Sequence, residues 1–115
     1  MDTFSLPELI AEQIDLAEKA SSGRSAHTIY GGHQHTLRQT LIALAEGQML
    51  EEHENPGEAT LHILHGEVRL RTAGQSFDGA AGDIFIIPDS RHSLEALRTA
   101  AVLLTVAKPL TDRDS

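Results

Sequence analysis

The chain has 115 residues, no cysteine, and 17 acidic against 9 basic side chains, a formal net charge of −8. That excludes disulfides and thiolate metal ligands and argues against a polyanion such as nucleic acid as partner. Four aromatic residues, Phe4, Tyr30, Phe77 and Phe85, are too few for a base-stacking platform, and the apolar runs LIALA and AAVLLTVA are far below the roughly 20 residues of a membrane-spanning helix.

The N-terminus, MDTFSLPELI, has no basic leader followed by an apolar run, so no signal peptide is expected. A single soluble, cytoplasmic domain is the expectation. The core has to be built from Leu, Ile, Val and Ala.

SLPELIAEQIDLAEKASSG predicts one helix. Ser5 caps it, Glu8 completes a capping box, and Pro7 is tolerated in the first turn. Leu6, Leu9, Ile10, Ile14 and Ala17 form an apolar stripe, and Gly23 stands where a C-terminal cap belongs. Beyond Gly23 the periodicity changes to short strands: 26–30, 37–44, 49–54, 59–64, 67–72, 75–78, 83–88, 92–97 and 101–107. Gly31-Gly32, Glu46-Gly47, NPGE, His65-Gly66, Ala73-Gly74, GAAG and Pro88-Asp89 supply the turns. Such a series without a second helix predicts an all-β sandwich or barrel.

Two stretches carry a more specific pattern. Gly47, His53, Asn55, Ala59 and Gly66 keep the spacing of a glycine, five residues, His-x-His, three residues, Glu, six residues and a glycine. GDIFIIPDSRH then supplies Gly82, Pro88 and His92, with a turn one residue short and Ser90 in place of a glycine. With these motifs the chain resembles the cupin family, and from SGR to LLTVAK it is similar to short actinobacterial-type cupins, mostly of unassigned function. The resemblance implies a double-stranded β-helix, or jelly-roll barrel, with one N-terminal helix. Its parts would be a helical segment at 1–24 packing on the barrel or a partner, a barrel at 25–110, and a polar tail at 111–115.

Metal-binding cupins hold a divalent ion with three histidines and a glutamate. Position by position, His53 and His92 remain, while Asn55 replaces a histidine and Ala59 the glutamate. Alternation puts residues 53 and 55 on the inward face. An amide is a poor substitute for imidazole and a methyl group is none, so the resemblance implies a degraded metal site, with any divalent transition metal held below four-ligand strength. Glu51, two residues before His53, joins His53 and His92 as a third candidate metal ligand on the condition that the strand has no bulge.

His33 and His35 form a second His-x-His, whose rings share a face if the backbone is extended; a polar strand entry or interface is the commoner outcome. Arg38 and Gln39 offer another polar pair, of which one points inward. His62 should face away from the pocket, and His65 sits in a turn.

Three functions fit this pattern. The first is a small-molecule-binding sensor or accessory barrel with His53, Asn55 and His92 as hydrogen-bonding groups and Leu61, Ile63 and Leu94 as apolar walls. The second is a metal-dependent oxygenase or isomerase built on His53 and His92; metal-independent cupin isomerases use a His acid/base pair, for which the same two residues are the candidates. The third is an interaction module. A homodimer is expected under all three, because open jelly rolls have edges to cover.

Overall fold

The computed structural model describes residues 1–53, 57–87 and 91–108, with Glu52 and His53 described in their backbone alone. Asn55, Glu54, Pro88, Ser90 and the polar tail lie outside the described residues. Helix α1 spans Leu6–Lys19. The Ser5 hydroxyl accepts from the Glu8 backbone N–H, as the capping box predicts. The helix stops earlier than Gly23: Ala20 is the C-cap, and Gly23 (φ +68°) closes the next turn by donating to the Ala20 carbonyl. Leu6, Leu9, Ile10, Ile14 and Ala17 turn toward the sheet, with Gln13 buried among them and bonded to the Ser25 hydroxyl.

Nine strands follow among the described residues: β1 (Arg24–Tyr30), β2 (Leu37–Leu44), β3 (Met49–His53), β4 (Glu58–His65), β5 (Glu67–Thr72), β6 (Gln75–Ala80), β7 (Ile84–Ile86), β8 (His92–Ala96) and β9 (Ala100–Ala107). Each corresponds to a strand read from the sequence; 37–44 and 67–72 coincide at both ends, and no other end moves by more than two residues. They form two antiparallel sheets, β1-β2-β9-β4-β7 and β3-β8-β5-β6, whose inner faces enclose the core. The fold is an all-β jelly-roll barrel with one N-terminal helix.

Strand faces follow from the register. Ile42 opposes Val102, which opposes Ile63, and all three belong to the core between the sheets. Leu41 and Ala43, fully buried on the other face, lie where α1 covers β1 and β2. Strand β2 is therefore buried on both sides, and its LIAL run shows no polar alternation. The outer face of the second sheet carries charge instead. Arg69 meets Asp78 at 2.7 Å and Arg71 meets Glu95 at 2.6 Å.

Gly66, between β4 and β5, has to be glycine. Its φ is +79°, and a Cβ there would stand 2.1 Å from the Thr99 carbonyl oxygen. This tight turn joins the two sheets and sets the closed end of the barrel, where Leu44, Ala100, Val68 and Ala96 pack together. The Gly47 N–H seals that end with a 2.8 Å bond to the Ala96 carbonyl.

Candidate functional site

At the opposite end the inner faces turn polar. Counting along the unbroken β2–β9 register from Leu44 through Ile42 and Thr40 brings Arg38 to the inner face, directly opposite Val106. Val106 in turn opposes Ala59 on β4, so Arg38, Val106 and Ala59 form one row across three strands. Ile87 continues it, donating its N–H to the Ala59 carbonyl at 3.0 Å. On the facing sheet, Ala96, Leu94 and His92 run in the same direction, and His92 is 4 % exposed at the polar end.

The pairing of β3 with β8 sets His53 opposite His92, so the two histidine positions are direct cross-strand neighbours. Between Leu50, which opposes Leu94, and His53, which opposes His92, β3 has one residue more than β8. This is a β-bulge, and it removes the condition under which Glu51 would share the face of residue 53. Glu51 is exposed.

Leu61, Ile63 and Leu94 face inward, as alternation predicts, and all three pack into the apolar core. Ala59, at 5 % exposure, belongs to the same core. His62 lies on the outer face between Leu103 and Ile84, and His65 is exposed at the end of β4. His33 and His35 occupy a turn closed by the His35 N–H on the Gly32 carbonyl, not extended backbone. The shared face that extended backbone would have given these rings is therefore absent. His35 instead lies against Tyr30, with ring centroids 4.9 Å apart. Both residues border an open groove of about 530 Å³ that also takes in Gln34, Thr36, Leu37 and Gln39.

Gln39 points outward, donating to the Thr105 hydroxyl at 3.2 Å, and that resolves the Arg38/Gln39 pair. Arg38 is the inward member. Its Nε is buried and has no hydrogen-bond partner among the described residues. The surface arginines differ: Arg24 reaches the Met49 carbonyl, and Arg69, Arg71 and Arg98 reach carboxylates. An inward Arg38 was hidden in the sequence because LIAL is apolar at every position; the signal lay in Gln39 and Thr105 sharing one face.

The residues at this end do not fit a four-ligand divalent ion. The carboxylate position holds the methyl group of Ala59 in the core, and the same row ends in a guanidinium, whose charge repels a cation. Glu51 is turned to solvent.

A two-sheet antiparallel barrel with this strand order is a jelly roll by architecture. Residues 40–107 match the family described as "Cupin domain", more than half of the chain. The chain belongs to the cupin family. No curated protein matches it. Among solved structures it is similar to a conserved protein of unknown function from Streptococcus pyogenes, at 26 % identity, 80 % coverage of each chain and TM-score 0.71. It also shares the fold of a cupin superfamily protein from Desulfitobacterium hafniense, at 19 % identity, 82 % and 88 % coverage and TM-score 0.71. A third similar fold is the cupin domain of an XRE family transcriptional regulator from Enterobacter cloacae, at 14 % identity, 75 % and 97 % coverage and TM-score 0.64. Among the described residues, no helix is long and apolar enough to cross a membrane.

Proposed function

We propose that the protein binds a small molecule at the open end of its barrel, as a sensor or accessory module, with a metal site that is degraded. One observation carries this reading: the inner row that would contribute a metal-binding carboxylate consists of Ala59, Val106 and Arg38, beside a buried His92. A buried imidazole and a guanidinium supply hydrogen bonds and charge to a ligand, and Leu61, Ile63 and Leu94 supply apolar walls deeper in. Asn55 and His53 complete the candidate set by their place in the motif. A sensor role is in keeping with the Enterobacter cloacae barrel, which is part of a transcriptional regulator.

The test is a thermal-shift screen of metabolites against the whole chain and His92→Ala. A ligand at about 100 times its Kd adds about 2.7 kcal/mol of apparent stability. The reading requires at least one compound that stabilises the native chain and does so less in the variant. A broad screen without a stabilising compound refutes it.

A metal-dependent oxygenase or isomerase is the second reading. The direct pairing of positions 53 and 92 favours it, and Ala59, Arg38 and exposed Glu51 oppose it. The proposal includes a homodimer. Ile84 and Ile86 on edge strand β7 are 57 % and 77 % exposed, an apolar edge that a second copy would cover. Light scattering at micromolar concentration should give twice the chain mass; a monomer there overturns this part.

A further inference from the structure

We infer that the ligand of this barrel carries an oxyanion, a carboxylate or a phosphate, and that Arg38 is the residue that binds it. The inference rests on the reading of the open end as a binding site and names the chemistry of what enters.

Arg38 comes from β2 onto the inner face in the same row as Val106 and Ala59. Strands about 4.8 Å apart set residues 38 and 59 roughly 10 Å apart across β9. An arginine side chain reaching inward together with one bound oxyanion spans that gap. Ala59 offers no carboxylate that would neutralise the guanidinium internally.

Gly31 lies so close that a Cβ there would come within 2.7 Å of Arg38 Cγ, so the root of the stem, from Cα to Cγ, runs directly beside the Gly31 backbone. Nε is buried without a partner among the described residues. A buried, unpartnered donor is uncommon in native proteins and calls for an explanation such as a missing ligand. Among the described residues, its neighbours on this face supply no competing anion: Val106, Ala59 and Ile87 are apolar, Thr40 is neutral, and Gln39 points to the outer face.

Guanidinium geometry suits this task, because its planar fork pairs two donors with the two oxygens of a carboxylate or phosphate. Burial strengthens the attraction by lowering the local dielectric. His92, buried at the same end on the facing sheet, is placed to add an imidazole contact. The net charge of −8 opposes a general attraction for anions, so affinity for one depends on a local cationic group such as this.

The test is calorimetric titration of the whole chain with succinate and, separately, with inorganic phosphate, against sodium chloride of matched ionic strength. Hexoses, nucleobases and simple amides form a neutral comparison set in thermal shift. One of the two anions should bind saturably. Binding should fall at least tenfold in Arg38→Met and at least threefold in Arg38→Lys, which keeps the charge but loses the fork. Arg98→Gln, on the surface, should leave it unchanged. The Lys variant covers the case in which the Met variant does not fold.

Succinate alone points to a carboxylate and phosphate alone to a phosphorylated compound; either supports the inference. Failure of both anions to bind, or equal binding by Arg38→Met, overturns it. If neutral compounds stabilise the protein while neither anion binds, the inference falls and the binding-barrel reading stands. If nothing binds at all, both fall.

Discussion

Replacing Arg38 by methionine should stabilise the ligand-free protein. Methionine keeps a straight stem of similar shape against Gly31 and removes the guanidinium whose Nε is buried without a partner among the described residues. An unsatisfied buried donor costs about 1–3 kcal/mol. Arg38 as a residue is only half-buried, so water reaches part of the guanidinium and the lower part of that range applies, about 1–2 kcal/mol. With an unfolding entropy of about 2.1 cal/mol/K per residue, the gain corresponds to about 4–8 °C in Tm for 115 residues. The assay is urea unfolding followed by circular dichroism, in a buffer free of carboxylates and phosphate, with the slope m unchanged between proteins. A variant less stable than the native chain by more than about 0.5 kcal/mol would refute the reasoning, because the guanidinium would then have a favourable partner in the folded protein.

Gly66→Ala should lower stability by at least about 2 kcal/mol, from a left-handed backbone and a Cβ 2.1 Å from the Thr99 oxygen; a loss below about 0.5 kcal/mol in urea unfolding contradicts the turn. Ile63→Ala, at a fully buried core position, should cost about 2–5 kcal/mol by the same assay, and a cost under 1 kcal/mol would mean the two inner faces are not packed there. The hydrogen bond from Arg69 holds the Asp78 carboxyl below the ordinary aspartate range. A lowered folded-state value adds stability above the unfolded value, and that contribution disappears as pH falls through the folded one. The stability difference between native and Asp78→Asn should therefore be present at pH 7 and shrink below about pH 4. It should be small, since the pair is exposed; a difference that grows on acidification contradicts the sign.

The strand series was legible because turn residues punctuate it: Gly47, Gly66 and Ala73-Gly74 fall between elements in the fold as in the sequence. The inner positions of Leu61, Ile63 and Leu94 were legible too, since β4 and β8 alternate regularly at those residues. Glu51 was not. Alternation assumes one residue per rung, and the extra residue between Leu50 and His53 arises from pairing with β8, which lies 40 residues away and leaves no local mark. Arg38 was hidden for a different reason. Helix α1 covers the outer face of β2, so both faces are apolar and the period-2 signal that would have oriented the strand is erased. The turn at Gly32–His35 likewise replaced the extended backbone that a His-x-His pair needs to share a face.

The measurement that bears most directly on the central claim is elemental analysis of the untagged protein. It would be read as purified and after dialysis with Fe, Mn, Ni and Zn, with His92→Ala alongside. A barrel whose carboxylate row holds Ala59 and Arg38 should retain well under one metal per chain, with no difference between native protein and variant. About one metal per chain, lost in His92→Ala, would contradict the account and place a working metal centre at the open end.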